Sequence, residues 1–136
     1  MIIAVLIIFW GMLMRAFEFG LCLLLALAGL GHLTGTFLFY TAGTDIFVWS
    51  LSASAFVFAI VFLHAVRILR PEDALIGNAA FLFSLIWVVL AFLFALVEGN
   101  PADPRALMHI VASGGLAITA LRQRTMCAQG VSKRRS

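Results

Sequence analysis

Residues 74 to 97 read ALIGNAAFLFSLIWVVLAFLFALV, without one charged side chain. A helix rising ~1.5 Å per residue needs roughly 20 apolar residues to cross a ~30 Å hydrocarbon layer, and this run suffices. Three further segments meet the same requirement: Phe17 to Tyr40, Ile46 to Val66 and Pro104 to Leu121. The runs are long and continuous rather than alternating over ten residues, which selects helices over a β-barrel. The chain has 136 residues, one domain's worth, with 64 % apolar and 11 % charged side chains and a mean hydropathy of +1.14. A water-soluble core of this size cannot hide so much apolar surface, so the expected solvent is lipid. The expected fold is all-α: an integral membrane antiparallel four-helix bundle with helices at about 17–40, 46–66, 74–97 and 104–121.

The linkers are short, which makes sequential helices antiparallel neighbours. Asp103 before Pro104 reads as an N-cap with proline at the first helical position. Asp45 and Asp73 are placed to cap the second and third helices. Arg15, Arg67, Arg70, Arg122, Arg124, Lys133, Arg134 and Arg135 fall at one end and Arg105 alone at the other. That bias predicts both termini in the cytoplasm. The basic residues lie at segment ends and in a tail, not on a face with interleaved aromatics, so the net charge of +3 is no nucleic-acid signature.

Residues 15–122 thus form the expected transmembrane domain, and 123–136 a basic cytoplasmic tail, disordered over 129–136, that anchors topology. Residues 1–14, MIIAVLIIFWGMLM, are apolar, yet a helix continuous to Tyr40 would be ~58 Å long. No positive n-region or small-residue cleavage site marks a signal peptide. Either the segment is an extension lying along the interface or against a partner, or the start is set too early and Met14 begins the chain. Cys22 and Cys127 lack metal or redox spacing and are expected to be free thiols.

Polar residues inside a membrane are functional candidates by default. By helical rise His32 lies about 12 Å below Tyr40 and His109 about 9 Å below Asp103, at nearly one level. Thr36 is one turn from His32, Ser113 one turn from His109, and Ser50 and Ser54 share a face of the second helix. Together they outline a polar pocket in the outer half. Three readings are open. In the first, His32 and His109 ligate haem b, their only metal role; in the second, the site binds quinone or another small ligand, or relays protons; in the third, each imidazole simply bonds a hydroxyl or carbonyl of the next helix. His64 is expected at the inner surface in contact with water or headgroups, and Glu18 is expected to pair with Arg15 at helical spacing. Gly31 and Gly35, with Ala112, Ala117 and Ala120, read as helix-packing positions. Tyr40 and Trp49 bracket the outer turn, where aromatic side chains favour the interface. Phosphate-loop, HExxH and GxSxG motifs are missing, so no catalytic residues are assigned.

The stretch 23–40, LLLALAGLGHLTGTFLFY, resembles the small four-helix bacterial membrane proteins of the DoxX-like group. The resemblance extends to the topology of residues 15–122. It implies a multi-pass protein of the bacterial inner membrane, in a group some of whose members are linked to quinone-coupled thiol or sulfur oxidation. The functional expectation is a non-catalytic accessory or assembly subunit, with other membrane subunits or a second copy as partners beside the bilayer. A redox protein using quinone or haem b, and a small multidrug-type transporter relying on Glu18, are the alternatives.

Overall fold

The computed structural model describes the backbone of residues 2–133, and the side chains of that range except 2–4, 7–8 and 123–133. Its regular structure is four helices: α1 Ile2–Phe39, α2 Asp45–Leu69, α3 Ala74–Val97 and α4 Pro104–Lys133. All four are long and apolar enough to cross a membrane, α1 over Phe9–Phe39 and α4 over Pro104–Arg122.

Local chemistry ends the helices close to where the sequence places it. The Asp73 carboxylate accepts from the amides of Leu75 at 3.0 Å and Ile76 at 3.1 Å, and Asp103 accepts from Arg105 N at 2.8 Å, so both cap as expected. The α2 cap is Thr44 rather than Asp45: its hydroxyl accepts from Phe47 N, and Asp45 becomes the first helical residue. At the end of α3, Gly99 adopts φ +68°. Gly99 N bonds to Leu96 O and Asn100 N to Ala95 O, both at 3.1 Å. This paired closure needs a left-handed residue at that point, which glycine adopts at little cost.

The helices form a square in which each packs on its two sequence-order neighbours and α4 closes on α1. Contacts run in opposite senses along each pair. His32 meets Ser50 while Glu18 meets Arg67, and neighbouring helices are therefore antiparallel. Leu25, Val57, Ile60 and Leu116 are fully buried at the centre. Large apolar side chains face outward on every helix, including Phe19, Phe37, Trp49, Phe62, Leu75, Leu93, Val111 and Ile118, each at least half exposed or nearly so.

Close approach between helices is made at Gly29 and Gly115. A Cβ on Gly29 would sit 2.8 Å from Val57 Cγ1, and one on Gly115 2.7 Å from Leu21 Cδ1. Gly31 and Gly35 do not serve the packing role expected of them: a Cβ on Gly31 meets nothing within 4 Å, and one on Gly35 meets only Phe39 of its own helix. Gly31 lies about 160° and Gly35 about 120° round the helix from Gly29. Ala112 and Ala117 are buried, as that role requires.

Two helices run past the boundaries expected from hydropathy. α1 continues back through residues 2–14, and α4 continues beyond residue 121 to Lys133. Neither stretch contains a proline, so nothing local stops the hydrogen-bond ladder. Along 5–13 of α1, Val5, Leu6, Phe9, Trp10, Met12 and Leu13 are all at least half exposed. The side chain of Cys127 and residues 134–136 lie outside the described residues, while Cys22 is a buried free thiol.

Candidate functional site

The buried polar side chains fall into two layers, one of which the sequence anticipates. Of the six residues expected there, Thr36 and His32 of α1 both meet Ser50 of α2, and the imidazoles of His32 and His109 meet edge to face with centroids 6.4 Å apart. The rings themselves occupy the space between these helices. Thr36 Oγ1 donates to His32 O at 2.9 Å, and its contact with Ser50 Oγ is 2.6 Å. A hydroxyl has one proton, so Ser50 must donate to Thr36 and accept from His32 Nε2 at 3.1 Å. Ser54 donates to Ser50 O at 3.2 Å and Ser113 to His109 O at 2.6 Å. These two hydroxyls are thus held on their own helices.

On the other side of the pair, Trp87 Nε1 donates to His109 Nδ1 at 3.2 Å. Indole only donates, which leaves the proton of the neutral His109 ring on Nε2. Trp87 is absent from the site expected from sequence, where it reads as one more apolar residue. Its partner also bears on the haem b alternative. A ligating histidine needs a lone pair, and the one on His109 is engaged by Trp87, so binding iron would require giving up that bond. Among the described residues no group of three or more His, Cys, Asp or Glu is arranged to hold a metal ion.

The second layer departs from the sequence reading. Glu18 pairs not with Arg15 but with Arg67 of α2, through a direct contact of Arg67 Nη2 with Glu18 Oε1. Arg67 is 1 % exposed and His64 0 %, so neither is at a solvated surface. The same Nη2 donates to Thr119 Oγ1 of α4 at 3.1 Å and approaches His64 Nδ1 at 3.3 Å. The two Nη2 protons go to Glu18 and Thr119, and His64, which meets Arg67 through Nδ1, shares a hydrogen bond between Nε2 and Ser84 Oγ of α3 at 2.8 Å. His64 Nδ1 also lies 3.5 Å from Glu18 Oε1. Because α2 and α4 are diagonal in the square, the reach to Thr119 puts the Arg67 guanidinium on the bundle axis. Five side chains thereby join all four helices.

A signal for this layer was present in the residue spacing. Glu18 precedes His32 by two heptads, and His64 follows Ser50 by the same interval. Residues two heptads apart share a face of a packed helix. If His32 and Ser50 point inward, Glu18 and His64 do too. Interhelical pairing then overrides the local Arg15–Glu18 option, which is worth only a few tenths of a kcal/mol.

Near the start of α4, Asp103 holds Arg105 through Nη2 to Oδ2 at 2.7 Å and Nε to Oδ1 at 3.1 Å. The hydrogen bond from the Arg105 side chain, helped by its backbone amide, lowers the Asp103 pKa to about 2. No family model matches the chain, and no curated protein or solved structure is significantly similar to it.

Proposed function

We propose that the chain is a multi-pass protein of the bacterial inner membrane, both termini cytoplasmic, acting as a non-catalytic accessory or assembly subunit of a membrane complex. The observation that carries the membrane reading is the inverted distribution of side chains. Glu18, Arg67, His64 and His109 are inside, and large apolar groups point outward from every helix. Water would reward the opposite arrangement, whereas hydrocarbon favours this one.

With Arg67 inside the bundle, the orientation rests on the remaining cations. Arg15, Arg70 and Arg122 lie at one end, and Arg105 at the other is already paired with Asp103. By the positive-inside rule this distribution supports a cytoplasmic Arg70 turn. The subunit role draws support from Val5, Leu6, Phe9, Trp10, Met12 and Leu13 of α1, apolar side chains that the bundle leaves exposed. The DoxX-like resemblance belongs to the same reading.

Two measurements test it. Thiol labelling of cysteines introduced at Gly43, Pro71 and Pro101 should give Gly43 and Pro101 reacting from outside and Pro71 only after permeabilisation. A mixed pattern would end the four-span topology. A photo-crosslinking residue at Phe9, activated in native membranes, should capture a discrete polypeptide; adducts with lipid alone would refute the subunit role.

A further inference from the structure

α1 is the longest helix, with 38 residues against 24 in α3. From Arg15 to Phe39 it matches α3 in length, and before Arg15 it continues unbroken for ~20 Å. The headgroup zone adds only about 5–7 Å beyond the hydrocarbon on each side, so lipid does not reach the far end of this extension. Its side chains Val5, Leu6, Phe9, Trp10, Met12 and Leu13 are nonetheless apolar and at least half exposed.

The exposed positions follow a heptad. Leu6, Leu13, Gly20, Leu27 and Thr34 recur every seven residues, and a second series three residues on runs from Phe9 through Ala16 and Leu23 to Phe37. Every member of both series is exposed. Glu18, Leu25 and His32, also seven apart, lie on the opposite side and face the bundle. Alternating steps of three and four keep one seam of a helix against a neighbouring helix over many turns. No charged residue occupies either series or the positions that flank them. Near the middle of the seam, Ala16 and Gly20 stand one turn apart. A Cβ on Gly20 would meet nothing within 4 Å, so its surface is open to a helix from outside, and small residues at this spacing let two backbones approach closely.

We propose that the chain forms a parallel homodimer, two copies joined along this outer seam of α1 from Leu6 to Phe37. The dimer rests on the membrane-subunit reading and identifies the partner as a second copy. Both copies cross the membrane in one sense, so their α1 helices run parallel, and a twofold axis along the membrane normal sets the seam against itself. A second copy carries the same extension to the same height. Leu6, Phe9 and Leu13 thereby cover one another where lipid is absent. The large members of both series are 50–64 % exposed. At roughly 100 Å² each, they offer close to the ~800 Å² that each partner of a stable dimer buries.

The test is disulfide trapping of the full chain in native membranes, in a C22A/C127A background carrying one new cysteine at a time. On oxidation F9C, L13C, L23C and L30C, along the seam, should yield a product of twice the chain mass. G11C and R15C, on other sides of α1, should stay monomeric, as should F62C of α2 and L93C of α3, both on exposed faces. G20L needs no cysteine. Having open space at its Cβ, it should leave the bundle intact yet overpack the seam. Association, read by energy transfer between copies fused to donor and acceptor fluorophores, should weaken about tenfold. Equal trapping at Gly11 and Phe9, or no trapped dimer at any seam position, would overturn the dimer. So would a G20L association equal to that of the parent. A Phe9 photo-adduct with a polypeptide of different mass would keep the subunit role and overturn the second copy, whereas adducts with lipid alone would end both.

Discussion

Replacing Arg67 with methionine separates the two accounts of Glu18 most sharply. If Glu18 were paired with Arg15 near a headgroup surface, R67M would cost a few tenths of a kcal/mol and R15M a similar amount. In the structure the side chains of Arg67 and Glu18 are 2 % and 10 % exposed. Solvent screening is therefore slight, and breaking the pair leaves a buried charge uncompensated. Such single truncations cost about 3–5 kcal/mol, whereas replacing both partners with apolar residues of similar size is close to neutral. We expect E18L and R67M each to destabilise by about that amount, and E18L/R67M to recover most of it, giving a large coupling in the cycle. R15M should change stability by no more than a few tenths of a kcal/mol. The assay is reversible unfolding in mixed micelles of mild detergent and dodecyl sulfate, followed by tryptophan fluorescence. An R67M stability within about 0.5 kcal/mol of the parent, or additive effects in the double variant, would refute a buried ion pair on the bundle axis.

Other perturbations read different contacts. In the same assay G115A and G29A should each lose about 1–3 kcal/mol by overpacking against Leu21 and Val57. G31A, with open space at its Cβ, should be neutral or gain up to about 1 kcal/mol from helix propensity. S84A, which removes the hydrogen-bond partner of His64 Nε2, should cost about 0.6–1 kcal/mol; no measurable change would place His64 elsewhere. The Asp103 carboxyl, held at about 2 in the fold, lies below its unfolded value of about 3.9. Its contribution is therefore complete above about pH 4 and is lost as pH falls toward 2. Carboxyl carbon NMR should show the depressed titration, and R105Q should return it toward the ordinary aspartate range.

Helix number, approximate span and type were legible from sequence because they depend on quantities summed along the chain. Continuous apolar runs leave helices as the structure that satisfies the backbone without water, and Asp73, Asp103 and Gly99 act within a turn of their own positions. The meeting of His32 with His109 was also legible, since depth follows from counting residues along antiparallel rods. Helix rotation was not. Gly29 and Gly31 lie two residue steps, about 200°, apart on α1, so helix rotation decides which of them faces α2, and whether Glu18 looks to Arg15 or inward to Arg67. Those choices depend on side chains from three other helices packing at once, and the preferences of any single helix are too weak to make them. The tertiary structure therefore decided that His64 and Arg67 are interior groups, that Trp87 belongs with the histidines, and that one guanidinium on the bundle axis ties the four helices together.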